Sequence, residues 1–214
     1  MCTVSAQTQS HDGPPEHDVP LEILGRELRR AREAAGIGVR EMAGRLAIVS
    51  AERIRDELDK LITVANPSAG LWFTIETGLC EHFLPELPAM RLERDEHMRH
   101  KDVYEHSLIV LEQAIALEKS RDFVDGRPNP NHQPDLIVRL AALLHDVPVE
   151  DQGRAAHHLA AARFAGELLA ARGLGTERTA NVVHSIEAHR FRDRSIQPQT
   201  LEAKCLYDAD KLDS

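Results

Sequence analysis

DLIVRLAALLHDV, residues 135–147, decides how the rest of the chain is read. An acid opens it, an almost unbroken apolar run follows, and a His-Asp pair closes it before Pro148. The run predicts a short helix from Asp135 that buries most of its surface. Proline halts it, because the ring disfavours helical geometry in the preceding residue. An acid at the end of such a helix is costly to bury unless something offsets its charge. The tetrapeptide HDVP also occurs at residues 17–20, in SHDGPPEHDVPLE. That copy sits in a polar, proline-containing stretch, residues 1–19, expected to be a disordered tail. A metal site needs several ligands held at fixed distances, which a floppy tail does not supply. The chemistry therefore belongs to His145 and Asp146.

Partners for that pair lie on other apolar helices. DEHMRHKDVYEHSLIVLEQAIALEKS predicts a long helix over 95–120, with Val103, His106, Val110 and Ala114 on one line. Ser107, Leu111 and Ile115 flank it, so His106 faces an apolar stripe. LEAKCLYDADKLDS, residues 201–214, puts Asp210 in a helix with Leu206 and Leu212 nearby. Imidazole and carboxylate together suit a transition metal better than calcium. The cofactor expected is one divalent cation: Mn, Fe, Co, Ni, Zn or Mg.

Composition bounds the rest. The chain has 214 residues, 42% of them hydrophobic and only 4% aromatic, with Leu, Ala, Glu and Arg plentiful. This mix favours an all-α protein of one domain, or one domain with an appendage. A net charge of -9 excludes a general attraction to nucleic acid or to anionic membranes. No apolar run is long enough to span a bilayer, and the first residues lack a secretory signal. Cys2, Cys80 and Cys205 form no CxxC pair, so a reduced, cytoplasmic protein is expected.

LEILGRELRRAREAAG, residues 21–36, predicts a helix ending at Gly36, and IGVREMAGRLAIV a short one after it. RRAREAAG followed by VREMAGRL resembles the first two helices of the phage-repressor type of helix-turn-helix domain, but a third, base-reading helix is not apparent. SAERIRDELDKLITVA, residues 50–65, predicts a helix capped by Ser50, with Ile54, Leu58 and Leu61 as its buried stripe. Pro67 opens another, to about Thr77, and further helices are expected at about 154–172, 176–190 and 199–213. No strands are expected.

His106, His145-Asp146 and Asp210 follow the H…HD…D order of the HD-domain metal-dependent phosphohydrolase superfamily. EHSLIVL, RLAALLHDV and LEAKCLYDADKLDS are similar to that family's first-histidine, central and closing helices. The resemblance implies an all-helical bundle and hydrolysis of phosphoesters by a metal-activated water. By it, His106, His145, Asp146 and Asp210 hold the metal, Asp208 and Asp213 support the helix end, and Asp146 also helps to orient the water. Because ligation needs neutral imidazole, activity should fall at acid pH.

A second resemblance covers residues 39–147. IVSAERIRDEL, LPEL and HKDVYEHSL are similar to phrases in the C-terminal half of bacterial CCA-adding tRNA nucleotidyltransferases, where a neck joins an HD domain. Their strand-rich catalytic head has no room here, and Asp208-Ala-Asp210 lies in a helical context unlike that head's DxD motif. Nucleotide addition is therefore not expected. From 148 onward the text instead resembles small stand-alone HD hydrolases, which normally continue beyond DADKLD. The organisation expected is a tail over 1–19, a helical neck-like region over 20–90, and an HD domain over 91–214, cut short at its C-terminus. The substrate implied is a nucleotide or another small, including cyclic, phosphoester. Two other readings stay open: a non-catalytic RNA-binding remnant of a CCA-adding enzyme, and a helix-turn-helix regulator.

Secondary candidates surround the central set. His158 aligns with a histidine that follows the HD motif in both sets of relatives, and is assigned a catalytic or second-metal role. His184 and His189 are candidates for a second metal or for substrate phosphate. Arg190, Arg192 and Arg194 follow closely and suit phosphate. Lys101 is expected at the pocket mouth, and His97 and His100 on the surface. Gly173-Leu174-Gly175 is a helix stop.

Overall fold

The computed structural model describes residues 48–90, 103–147 and 156–213, with isolated positions between 30 and 41. The expected tail, most of the repressor-like helices, the start of the 95–120 helix, and His97, His100 and Lys101 lie outside the described residues. Glu33 and Ala34 are helical, and Gly36 takes φ 68°, the left-handed conformation that ends helices.

The N-terminal helices form where caps and apolar spacing agree. Helix α1 (Ala51–Thr63) starts at Ser50, whose hydroxyl accepts from the Arg53 N–H at 3.4 Å. It buries Leu58 and Ile62, whereas the expected Ile54 and Leu61 lie at the margin. The core stripe is thus rotated slightly from the sequence reading. Helix α2 (Pro67–Glu76) has proline in its first turn, where the missing N–H costs nothing. A 3-10 turn (Cys80–His82) and the short α3 (Glu86–Ala89) follow.

The larger group of helices begins with α4 (Val103–Arg121). A hairpin then pairs β1 (Phe123–Val124) with β2 (Arg127–Pro128). Asp125 and Gly126 both take positive φ, at 53° and 74°, as the tightest hairpin turns require. Among the described residues this hairpin is the one departure from the all-helical expectation.

Helix α5 (Leu136–Leu144) is the central element. The Asp135 carboxylate accepts from the Ile137 and Val138 N–H groups at 2.9 and 3.2 Å. Every residue from Val138 to Leu144 is buried. Helices α6 (His157–Ala171), α7 (Thr176–Ala188) and α8 (Leu201–Asp213) complete the bundle, within a few residues of the expected spans. Gly166 lets α6 approach α7 closely, since a Cβ there would lie 3.0 Å from Val183 Cγ2.

Long cationic side chains fasten the first helices to the bundle. Arg55 Nη1 donates to the Arg172 carbonyl at 2.9 Å, and Arg172 in turn donates to the Phe83 carbonyl. Arg139, on α5, donates to the Ile62 and Val64 carbonyls at 2.8 and 2.7 Å, occupying acceptors that the end of α1 leaves open. No helix among the described residues is long and apolar enough to cross a membrane.

Candidate metal centre

Three helices deliver the expected set to one place. His106 comes from α4, His145 and Asp146 from the end of α5, and Asp210 from α8. His106 Nε2 lies 3.2 Å from Asp210 Oδ1 and 3.8 Å from Asp146 Oδ2. His145 Nε2 lies 3.6 Å from Asp146 Oδ2 and 3.9 Å from Asp210 Oδ1. His106 sits at the edge of its helix's buried stripe, so its ring reaches the cleft and not the core.

A second triad shares Asp146. His157 Nε2 and His189 Nε2 lie 3.4 and 3.8 Å from Asp146 Oδ1. One carboxylate therefore turns one oxygen toward His106 and His145 and the other toward His157 and His189. Both triads, His106-His145-Asp146 and Asp146-His157-His189, have ligand atoms close enough to hold an ion.

The tautomers follow from the hydrogen bonds. His145 Nδ1 lies 2.8 Å from the Ala142 carbonyl, and His189 Nδ1 lies 2.6 Å from the Ile186 carbonyl. A carbonyl can only accept, so each Nδ1 carries a proton and each Nε2 is turned toward Asp146. His106 Nδ1 makes the same bond to Asp213 Oδ2 at 2.7 Å. A ring nitrogen anchored on an oxygen acceptor is the arrangement that orients metal-ligating histidines. Asp208 instead pairs with Arg121, away from the cluster.

The donors fit a divalent cation. His145 Nε2 and Asp146 Oδ1 are shielded from solvent, and neither makes a well-formed hydrogen bond. Buried polar atoms left this way cost free energy, which a shared cation offsets. Mixed nitrogen and carboxylate donors match the preferences of first-row divalent metals.

Electrostatics agree. Burial alone would raise the Asp146 pKa, but His145, His157 and His189 outweigh it and hold the carboxyl far below its ordinary range. Burial would lower that of His106, but Asp210, Asp146 and Asp213 outweigh it and raise it to about 9. His189 is pushed down to about 4 by burial and by His145. Asp210 is lowered, as contact with His106 and the charges of His145 and His189 overcome desolvation.

The secondary candidates divide. His189 joins the cluster, but His158 does not. Its ring is 1% exposed, neither nitrogen has a hydrogen-bond partner, and Nε2 lies 3.5 Å from Asp193 Oδ2. His157, which sequence reasoning passed over, takes the place beside Asp146. The helical register held the signal: His158, Ala161, Ala162, Ala165 and Leu169 form the buried stripe of α6, which puts His157 at the cleft edge. His184 is also apart, its Nε2 accepting from the Gln199 N–H at 3.1 Å. Arg192 packs over the Phe191 ring, 5.5 Å from its centroid.

Residues 37–90 match a family described as the probable RNA and SrmB-binding site of polymerase A. Over 105 residues the chain is 34% identical to the A-adding tRNA nucleotidyltransferase of Deinococcus radiodurans, a stretch that is 49% of this chain and 21% of that relative. The match thus spans about a fifth of that enzyme's length. Residues 103–214 match the HD domain, with every member of both histidine triads inside the matched span, and this chain belongs to the HD-domain family.

Proposed function

We propose that the chain is a metal-dependent phosphohydrolase acting on a nucleotide or another small phosphoester. The observation that carries this reading is the Asp146 carboxylate, which faces two histidine groups with one oxygen each. A divalent cation held there would supply Lewis-acid chemistry, lowering the pKa of a bound water and polarising a phosphoryl oxygen. His106, His145, Asp146 and Asp210 would hold such a cation, and His157 and His189, which also face Asp146, are the further side chains that could take part. Asp213 fixes the His106 ring, and the Ala142 and Ile186 carbonyls fix His145 and His189. Asp146, kept ionised by its histidines, would be placed to accept a hydrogen bond from such a water. Metal analysis of the purified protein, with a phosphoester screen on wild type and Asp146→Ala, tests the reading. Bound transition metal and turnover lost in the variant are expected; undiminished turnover in Asp146→Ala would overturn it.

A second reading is RNA binding through residues 37–90, supported by the family match over that span and by the tRNA enzyme among the relatives. Arg55 is already occupied by Asp56 and by the Arg172 carbonyl, and Lys60 by Glu57 at 2.8 Å, so Arg53 is the exposed cation of α1 on which this reading rests. Binding of a tRNA that weakens steeply with salt, and weakens again in Arg53→Ala, is the expected result.

A further inference from the structure

The loop after α7 gathers positive charge beside the metal centre. It reads His189-Arg190-Phe191-Arg192-Asp193-Arg194, three arginines against one acid, directly after a histidine of the cluster. The whole chain carries a net charge of -9, so this concentration runs against its average. A cationic rim around a cleft raises the local concentration of anions there.

The loop is held against the cluster and braced internally. The Asp193 N–H donates to the Arg190 carbonyl at 3.0 Å, and Gln197 donates to the Arg194 carbonyl at 2.7 Å. Asp193 Oδ1 accepts from the Ser195 N–H and hydroxyl at 3.0 and 2.6 Å, and Oδ2 lies 3.5 Å from His158 Nε2. The His158 ring in turn lies 5.6 Å from that of His157 and 6.3 Å from that of His189, centroid to centroid. Both oxygens of the loop's one acid thus have neighbours on Ser195 and His158.

Arg192 and Arg194 are exposed, and neither forms an ion pair among the described residues. The Arg192 guanidinium lies over the Phe191 ring, 5.5 Å from its centroid. Stacking uses the face of a guanidinium and leaves its in-plane N–H donors open to an anion. Arg194 lines a polar pocket of about 170 Å³ together with Gln197 and Tyr207, with Asp193 also in its wall. One water needs on the order of 10–15 Å³ of such space, so a phosphate group fits. Arginine suits that group well, because its fork pairs with two phosphate oxygens at once.

We propose that Arg192 and Arg194 bind a second phosphate of the substrate, beyond the one held at the metal centre. The substrate class is then a doubly phosphorylated small molecule, a diphosphate or a bisphosphate, and not a simple monoester. A monophosphate leaves these two guanidiniums without an anionic partner; a second phosphate supplies one. The inference rests on the phosphohydrolase reading of the adjoining cluster.

Phosphonates resist hydrolysis, so they test the rim apart from turnover. Methylphosphonate, methylenediphosphonate and propane-1,3-diphosphonate are titrated calorimetrically into the full chain in saturating Mn. At least one diphosphonate should bind about tenfold more tightly than methylphosphonate, as one charge-assisted contact implies. A gain for the methylene compound points to a diphosphate substrate, and a gain for the propane compound to a bisphosphate. The double change Arg192→Ala with Arg194→Ala should remove the advantage, whereas Lys119→Ala, which deletes an exposed cation of α4, should keep it. In turnover of the matching substrate, the double alanine variant should raise KM about tenfold with little change in kcat. Equal affinity for all three phosphonates, or an advantage unchanged in the folded double variant, overturns the proposal. So does an oligoribonucleotide that binds more tightly than either diphosphonate through the same arginines, which makes the loop a nucleic-acid contact. Arginine-dependent diphosphonate binding by a protein that hydrolyses no phosphoester supports the rim and overturns the hydrolase reading. Phosphoester hydrolysis with no diphosphonate preference does the reverse.

Discussion

Arg139 and Glu118 form a buried ion pair, Nη2 to Oε1 at 2.5 Å, with side chains 1% and 4% exposed. The guanidinium also donates to the Ile62 and Val64 carbonyls, and Glu118 Oε2 accepts from the Asp135 N–H at 3.2 Å. One pair thus ties the end of α1, the last turn of α4 and the start of α5 together. Breaking one partner strands the other. Arg139→Met should cost about 3–5 kcal/mol by denaturant unfolding. The double change Arg139→Met with Glu118→Leu should recover part of it, and a single-variant loss under about 1 kcal/mol would rule out this coupling.

The second prediction concerns the support behind His106. Asp213→Asn keeps the shape but weakens the acceptor for His106 Nδ1–H. Metal affinity should drop about 10–100-fold with the fold intact, the usual effect of removing an outer partner of a ligating histidine. Unchanged affinity, read by competition with a chelating dye, would show that Asp213 plays no such part.

Adjacent histidines allow a sharper test. His157→Gln should lower the metal bound per chain, because His157 faces Asp146. His158→Gln should leave the metal content unchanged, since its ring faces Asp193. The opposite pattern in metal analysis would reverse the assignment.

The pH dependence has a definite sign. His106 rises from 6.5 to about 9 in the metal-free fold, so its stabilising charge is fully present below 6.5 and is lost as pH climbs through about 9. His189 falls from 6.5 to about 4, so the unfolded chain binds more protons in that window and stability drops as pH falls through it. The Tm of chelator-treated protein should therefore peak near pH 6.5. Saturating Mn should flatten the alkaline limb, because the cation takes the place of the His106 Nε2 proton. Proton release on metal binding at neutral pH, measured calorimetrically in buffers of different ionisation enthalpy, checks the same point.

The central helix offers a stability test away from the metal. Asp135→Ala deletes the cap over Ile137 and Val138 and should cost about 1–2 kcal/mol. Asp135→Ser should recover most of that loss in the same denaturant series.

Periodicity and cap chemistry, both local, made α1, α2, α5, α6, α7 and α8 readable within a few residues. His106, His145, Asp146 and Asp210 were nameable because an acid or imidazole on an apolar helix is costly unless partnered. The hairpin at 123–128 escaped notice because its strands are two residues each, and only Asp125-Gly126 marks the turn.

The amino-acid sequence by itself determined the helical class and which buried polar groups needed partners, since burial cost and helix spacing are properties of short segments. The tertiary structure alone decided which oxygen of Asp146 faces which histidines, that His157 and not His158 turns into the cleft, and that Asp213 anchors His106. Those relationships depend on how α4, α5, α6 and α8 cross, and crossing angles arise from side-chain packing between helices far apart in the chain.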